Sequence, residues 1–218
     1  MVKVGIVGGS GYVGGELLRL LLTHGKTEIV SATSRQHAGE YVFKIHPNLK
    51  GMTNLQFSAE DPTTVASKAD IVFLAAPHGL SCKIVPRLVE TGVKILDMSA
   101  DFRLKDPAAY DRWYGWSHPA PELLEKFVYG MPELHRQELK SAKYVAVPGC
   151  MATSAIVSLA PLAKAELIED VVIVDAKIGS SGAGGKPSLS THFSERFGVV
   201  RVYKPVAHRH TAEIEQEL

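Results

Sequence analysis

The chain opens with a short apolar strand, a glycine-rich turn and a helix, and this order limits the fold more than any other feature. Residues 2–7 have the apolar pattern of a buried strand, and the leucines of residues 15–22 have helical spacing. Between them, residues 8–14 fit both G-x-G-x-x-G and G-x-x-G-x-x-G. Glycines in either frame let the backbone approach a pyrophosphate held at the helix N-terminus, so the sequence predicts a dinucleotide-binding domain.

Further apolar runs predict a parallel α/β sheet of the Rossmann type. They occupy residues 28–33, 71–76, 94–98 and 144–147, and helical stretches lie between them. Nearly continuous apolar strands are typical of a parallel sheet that is covered on both faces. Ligands bind at the carboxyl ends of such strands, so we expect Pro77 and residues 99–103 to face a cofactor cleft.

The end of the second strand indicates which dinucleotide the site accepts. An Asp or Glu at this place would accept hydrogen bonds from an unmodified ribose, but the sequence has Ser34, Arg35 and Gln36. A guanidinium pairs with a 2′-phosphate, whereas a carboxylate repels it. The pattern therefore favours NADP over NAD. The alternative is that Arg35 is a solvated loop charge.

Cys150 lies where a strand pattern gives way to a helical one. Pro148 and Gly149 end the strand, and apolar residues recur at helical spacing from Thr153. A cysteine in the first helical turn faces free backbone N–H groups and the positive end of the helix dipole, which favour the thiolate. Cys150 is therefore a candidate nucleophile, and the alternative is a buried structural thiol.

The pattern divides the chain into a dinucleotide-binding domain, residues 1–149, and part of a second domain, residues 150–218. In the second part, strands are predicted over residues 171–177 and 199–203. A glycine- and serine-rich loop between them contains Ser181 and Gly182 and offers many backbone donors. This loop either closes over a cofactor or anion, or lies on the surface.

His208 and His210 are two residues apart in a stretch that reads as extended chain, so their side chains point the same way. No further Cys or His is spaced to complete a tetrahedral zinc site. Imidazole titrates near neutral pH, which makes the pair a candidate acid–base partner for a thiolate. The alternative is a pair of surface histidines.

Composition excludes several classes of protein. A net charge of +1 without a basic block gives no bias towards nucleic acid or membrane surfaces. The longest apolar runs reach about eight residues, far below the roughly twenty that span a bilayer. Two cysteines, Cys82 and Cys150, and no signal-peptide pattern predict a cytoplasmic protein without a disulfide.

Five motifs occur together in an order typical of one family. They are residues 8–14, 99–103, 129–134, 148–150 and 208–214. With these motifs the chain closely resembles the N-acetyl-gamma-glutamyl-phosphate reductases. Within that family it resembles the branch that reduces an aminoadipyl or glutamyl phosphate borne on a small acidic carrier protein in lysine and arginine biosynthesis. It is more distantly similar to aspartate-semialdehyde dehydrogenases.

The resemblance implies an NADP-dependent oxidoreductase that converts an acyl phosphate, either N-acetyl-glutamyl phosphate or the carrier-linked form, into a semialdehyde through a Cys150 thioester. His208 or His210 would be the acid–base group, with His210 preferred by chain order. Arg103 would bind the leaving phosphate, and the alternative is a structural salt bridge with Asp101 or Asp106. The candidate cofactor residues are Gly8, Ser10, Gly11, Tyr12, Val13, Ser34, Arg35, Gln36, Pro77, Ser181 and Gly182.

The resemblance also implies a homo-oligomer and a second domain of the α+β class for catalysis and dimerisation. Family members continue well beyond this length, so the chain is expected to be an amino-terminal portion. Two other functions stay open on the residues alone. One is a dinucleotide-binding module without catalysis, and the other is a cysteine hydrolase, which has no need of the glycine turn.

Overall fold

Six strands form one fully parallel sheet, so the Rossmann-type α/β prediction is confirmed. The computed structural model describes residues 1–218. The strands are β1 (Val2–Val7), β2 (Thr27–Thr33), β3 (Ile71–Leu74), β4 (Lys94–Asp97), β5 (Phe127–Tyr129) and β6 (Tyr144–Ala146). Their order across the sheet is β2-β1-β3-β4-β6-β5.

Nine helices accompany the sheet. They are α1 (Tyr12–Thr23), α2 (Val42–Ile45), α3 (Pro62–Ala66), α4 (Ser81–Thr91), α5 (Ala108–Tyr114), α6 (Pro132–Ser141), α7 (Cys150–Lys164), α8 (Phe193–Arg196) and α9 (His210–Glu217). Short 3-10 segments occur at Pro47–Leu49, Pro121–Lys126, Ser180–Ala183 and Leu189–Thr191. None of the helices combines the length and the apolar character needed to cross a bilayer.

Hydrophobic side chains cover both faces of the sheet, as the apolar strands predict. On β1, Ile6 belongs to a cluster with Leu18 and Phe57, whereas the next residue, Val7, belongs to a larger cluster around Ile95. Successive strand residues point to opposite faces, so β1 is buried on both sides. This double burial fixes the strand from which the glycine turn emerges.

The strand order creates a cleft beside β1. The chain passes from β1 to β2 on one side and then crosses to β3 on the other side of β1. Ligands bind at such switch points, outside the carboxyl ends of the strands. The turn after β1 and the loop after β3 therefore border the same cleft.

The prediction of two strands in the second part of the chain is wrong. Residues 171–177 and 199–203 form neither strand nor helix, and apolar side chains such as Ile173 and Val200 are almost fully exposed. A strand requires a neighbour that accepts and donates its backbone hydrogen bonds, and all six strands of the sheet lie within residues 2–146. The local pattern was that of a strand, but no partner strand is present. The domain division at residue 149 stays a prediction.

One strand of the sheet was not predicted. β5 is three residues long and lies in a polar and aromatic segment. It pairs in parallel with β6 at the edge of the sheet, and Phe127 stacks on Phe102 with 4.2 Å between ring centroids. So short a run carries no periodicity, and only its tertiary contacts define it as a strand.

Candidate active site

The glycine turn after β1 has the shape of a phosphate cradle. Gly8 adopts a φ of +90°, and a Cβ added to Gly14 would lie 2.5 Å from the carbonyl oxygen of Gly8. Gly11 has open space around its Cα and is the N-cap of α1, whose first N–H groups have no side-chain cap. Free N–H groups at an open helix N-terminus bind anionic oxygens. The turn therefore fits the pyrophosphate of a dinucleotide.

Replacing Gly14 with alanine is expected to lower the free energy of unfolding by about 1–3 kcal/mol, the usual cost of overpacking. The added methyl meets backbone atoms of Gly8 and Gly9, which have no room to move. Gly11→Ala is the matched control, because its methyl points into open space, and its effect should be under about 1 kcal/mol. Urea denaturation checks both variants. Equal stability of the two would contradict the proposed close approach.

The loop after β2 is tied directly to the glycine turn. The hydroxyl oxygens of Ser34 and Ser10 are 2.8 Å apart, and Ser34 is buried. The next two side chains, Arg35 and Gln36, are exposed. Arg35 thus follows directly on the residue that contacts the turn, at the end of β2 where the ribose of a dinucleotide lies in this fold.

Four of the eleven predicted cofactor residues and the predicted nucleophile line one cleft of about 870 Å³. Tyr12, Val13, Ser181 and Gly182 face it, and so does Cys150. The glycine- and serine-rich loop reaches over the turn, because a Cβ on Gly185 would lie 3.6 Å from the Tyr12 ring. Pro77 is exposed in the loop after β3 and does not line this cleft.

Cys150 is the first residue of α7 and its side chain is exposed. Exposure is inconsistent with a buried structural thiol. Its helix begins without a side-chain cap and without an acidic residue in the first turn, so the first N–H groups of α7 are free to bind an anionic group beside Cys150. The other thiol, Cys82, is buried, and burial together with Asp101 raises its pKa to about 12.

His210 packs directly against the residue before the nucleophile. A Cβ on Gly149 would lie 2.5 Å from the His210 Nε2 atom, so the ring occupies space that any other residue would fill. Burial lowers the pKa of His210 to about 4, while the neighbouring Glu213 acts in the opposite direction. The side chain is therefore uncharged near neutral pH, and its buried Nδ1 has no hydrogen-bond partner.

His208 lies beside His210, with 4.6 Å between ring centroids. The prediction of extended chain is wrong here, because His210 begins α9 and the two rings meet across the start of that helix. The Nδ1 atom of His208 accepts from the backbone N–H of His210 at 3.1 Å. A neutral His208 therefore carries its proton on Nε2, which lies 3.1 Å from the Tyr203 hydroxyl oxygen.

A buried network centred on Glu213 connects α9 to the start of α7. The carboxylate of Glu213 accepts from the Gly149 N–H at 2.9 Å, from the Tyr129 hydroxyl at 2.7 Å and from an Arg103 guanidinium N–H at 3.2 Å. Glu213 is fully buried and Arg103 is 6% exposed. The network fixes the backbone that presents Cys150.

The guanidinium of Arg103 is buried and bonded to internal partners. It donates to the carbonyl oxygens of Val147 at 2.7 Å and Met98 at 3.1 Å, in addition to Glu213. These contacts link the Arg103 side chain to three separate segments of the chain, and its role towards phosphate stays a prediction. The carboxylate that pairs with Arg103 is that of Glu213, and neither Asp101 nor Asp106 is its salt-bridge partner. Asp101 instead accepts from the backbone of Gly79 and Cys82, and Asp106 from that of Ala108.

Two domain families of known proteins match the chain. The semialdehyde dehydrogenase NAD binding domain matches residues 3–142, and the semialdehyde dehydrogenase dimerisation domain matches residues 150–218. The chain belongs to the semialdehyde dehydrogenase family. Membership in this family of oxidoreductases indicates a nicotinamide dinucleotide as the cofactor, in agreement with the glycine turn.

Curated relatives of this semialdehyde dehydrogenase family member share more than half of its residues. Proteins from Pyrobaculum islandicum (62% identical over 221 residues), Picrophilus torridus (56% over 217) and Nitrosopumilus maritimus (55% over 218) are examples. Each carries the name LysW-L-2-aminoadipate/LysW-L-glutamate phosphate reductase. All of the chain is covered in each comparison, but the chain spans only 62% of the length of each relative.

Solved structures with the same fold are aspartate semialdehyde dehydrogenases. The Vibrio cholerae enzyme II complexed with ASA superposes with a TM-score of 0.52 at 20% identity, covering 76% of this chain and 47% of that one. The Candida albicans enzyme with NADP gives 0.50 at 17% identity, covering 75% and 47%. At these identities the likeness demonstrates the shared fold.

Glu213 was not among the residues predicted for the site. One signal was available, because Glu213 follows His210 by three residues, and residues at that spacing share a face of a helix such as α9. The other partners of Glu213 are distant in sequence. The carboxylate meets Gly149 across 64 positions and Arg103 across 110, which no local pattern reveals.

Proposed function

We propose that this protein is an NADPH-dependent reductase that converts an acyl phosphate into an aldehyde and releases phosphate. The observation that carries the proposal is the exposed Cys150 at the N-terminus of α7, in the same cleft as the glycine turn. A nucleophilic thiol beside a dinucleotide site is the arrangement needed to hold an acyl group covalently while it is reduced. A protein that only binds a dinucleotide does not require a reactive thiol at this position.

The substrate we propose is aminoadipyl or glutamyl phosphate attached to a small acidic carrier protein, in lysine or arginine biosynthesis. The names of the relatives at 55–62% identity support this choice over N-acetyl-glutamyl phosphate. The match of residues 150–218 to a dimerisation domain supports a homo-oligomer. A reactive thiol requires a reducing compartment, so we propose the cytoplasm.

The first step is attack of the Cys150 thiolate on the acyl carbon. The thiol proton passes to a base, and we assign this role to His210, because its ring is uncharged near neutral pH and packs against Gly149, the residue before Cys150. The thiolate forms a carbon–sulfur bond, the carbon–oxygen bond to phosphate breaks, and a thioester remains on Cys150. The first N–H groups of α7 stabilise the negative charge that develops on the acyl oxygen.

The second step reduces the thioester. Residues of the glycine turn and of the loop after β2 would hold NADPH, which supplies the hydride when bound. The protonated His210 then returns its proton to the oxygen or sulfur as the carbon–sulfur bond breaks and the aldehyde leaves. His208, which uses both ring nitrogens in contacts with Tyr203 and the α9 backbone, positions its neighbour.

Replacing Arg35 with aspartate is expected to weaken NADP binding about tenfold to a hundredfold while changing NAD binding less than about threefold. The variant loses a charge-assisted hydrogen bond, worth about 1.5–3 kcal/mol, and adds repulsion against the 2′-phosphate. Calorimetric titration with each dinucleotide measures the ratio. Lys26→Asp is the charge-matched control, because Lys26 is exposed at the opposite, amino end of β2. An unchanged NADP-to-NAD ratio in Arg35→Asp would refute the 2′-phosphate role.

The proposed function is tested by mixing the enzyme with NADPH and each of the two acyl phosphates. Oxidation of NADPH, with one phosphate and one aldehyde formed per turnover, is the expected result with the carrier-linked substrate. Faster turnover of N-acetyl-glutamyl phosphate would change the substrate assignment. Absence of NADPH oxidation with both would overturn the function.

A further inference from the structure

The side chain of His46 contacts the glycine turn from outside the glycine motif. His46 lies directly after α2, 37 positions along the chain from Gly9. Its Nε2 atom is 2.9 Å from the carbonyl oxygen of Gly9. Because a carbonyl oxygen only accepts hydrogen bonds, Nε2 carries a proton and donates it to this contact. The turn is therefore held by a side chain that is not among the predicted cofactor residues.

The imidazole ring of His46 is fixed on several sides. A Cβ on Gly15 would lie 2.5 Å from the ring carbon Cε1, so the ring occupies the space of a side chain on α1. The ring lies edge-on to Phe57, with 6.2 Å between centroids. The backbone of His46 is bonded to that of Val42 and of Leu49, both of which are fully buried. This packing also explains the glycine at position 15, which neither glycine pattern requires.

The hydrogen bond from His46 acts on the peptide unit between Gly9 and Ser10. The Gly9 N–H donates to the carbonyl oxygen of Thr33 at 2.8 Å, so both backbone polar groups of Gly9 are held. In a trans peptide the C=O and the following N–H point in opposite directions. A Gly9 carbonyl that faces His46 therefore directs the Ser10 N–H away from that ring. The Ser10 N–H makes no hydrogen bond within the chain, so it is free for a ligand.

We propose that His46 is a positioning residue for the dinucleotide, and that it holds the Gly9 carbonyl so that the Ser10 N–H is presented to the pyrophosphate. An N–H group that is already oriented loses little conformational freedom when the ligand binds, which increases affinity. The inference rests on the dinucleotide site of the proposed function and does not depend on the acyl substrate.

This role differs from that of Arg35 in the ligand group that it affects. The pyrophosphate is common to NADP and NAD, whereas the 2′-phosphate is present in NADP alone. Loss of the His46 hydrogen bond should therefore weaken the binding of both dinucleotides by the same factor. The NADP-to-NAD ratio should stay unchanged, in contrast to the ratio in Arg35→Asp.

Calorimetric titration of the protein with NADP and with NAD tests the proposal. His46→Leu removes the donor, and it is expected to weaken the binding of each dinucleotide about threefold to tenfold. His46→Gln keeps an N–H donor at a similar reach, and its affinities should stay within about twofold of those of the unaltered protein. The matched control is His24→Leu, the same change at an exposed histidine that directly follows α1. It should leave both affinities unaltered.

The pair of His46 variants distinguishes a donated hydrogen bond from simple filling of space. Circular dichroism verifies that each variant is folded. If His46→Leu does not fold, His46→Asn takes its place, because its amide is one methylene shorter than that of glutamine and does not reach the Gly9 carbonyl. His46→Asn is then expected to show the loss of affinity that His46→Gln does not.

Three results would overturn the positioning role. They are unchanged affinities in a folded His46→Leu, an equal loss in His46→Gln, and a loss for NADP without one for NAD. The outcome is separate from that of the NADPH assay. An equal loss for both dinucleotides that glutamine restores supports the role even if no acyl phosphate is reduced. Active enzyme whose dinucleotide affinity is independent of His46 contradicts the positioning role alone.

Discussion

Replacing Glu213 with alanine is expected to lower the free energy of unfolding by about 3–5 kcal/mol, the usual cost of removing one partner from a buried ion pair. The variant leaves the Arg103 guanidinium charged and buried without its carboxylate. It also removes the acceptor for the Tyr129 hydroxyl and for the Gly149 N–H. Urea denaturation of the purified protein measures the change.

A neighbouring glutamate provides the control for this prediction. Glu215 lies on the same helix and is exposed. Glu215→Ala should change stability by no more than about 0.5 kcal/mol. The double variant Arg103→Met, Glu213→Leu removes both charges and should recover part of the loss, because apolar groups of similar size replace a buried pair at little cost. Equal stability of Glu213→Ala and Glu215→Ala would contradict the role assigned to the network.

Replacing Cys150 with serine is expected to reduce NADPH-dependent turnover by about a thousandfold or more, the scale seen when a covalent nucleophile is removed. A serine hydroxyl does not ionise near neutral pH, so the helix N-terminus has no anion to stabilise there. NADP binding should stay within about threefold, because the glycine turn and the loop after β2 are unaltered. Steady-state assays and a cofactor titration measure the two effects separately.

A variant of the second cysteine, Cys82, serves as the control. It distinguishes an effect of losing the nucleophile from an effect of losing any thiol. Cys82 is 2% exposed, and Asp101 accepts a hydrogen bond from its backbone N–H. Cys82→Ala therefore removes buried volume and should reduce stability, but it should leave turnover per folded molecule unchanged. Full activity of Cys150→Ser, or loss of activity in both variants alike, would argue against Cys150 as the nucleophile.

The parts of the site that the sequence predicts well are those formed by short, contiguous segments. The glycine turn is one, since Gly8 has a positive φ and Gly14 packs against the backbone of Gly8 and Gly9 within the same turn. Cys150 at a helix start is another, because Pro148 and Gly149 end one element and begin the next. In both cases neighbouring residues along the chain fix the geometry.

The parts that the sequence does not predict depend on distant partners. Residues 171–177 have the composition of a strand but form none, since no neighbouring strand supplies hydrogen bonds. The sequence offers Asp101 and Asp106 as salt-bridge partners of Arg103, and only the fold places Glu213 against it. His78 and Arg209, 131 positions apart, have no shared pattern, and only the fold brings them together.

The central claim is that Cys150 forms a thioester with the acyl group, and mass spectrometry tests it most directly. The enzyme is mixed with acyl phosphate in the absence of NADPH, quenched in acid and digested. The predicted result is one acyl group on the peptide that contains Cys150, absent from Cys150→Ser and discharged as aldehyde when NADPH is added before the quench. An unmodified Cys150 peptide, or an acyl group on another residue, under conditions where NADPH supports turnover would contradict the account.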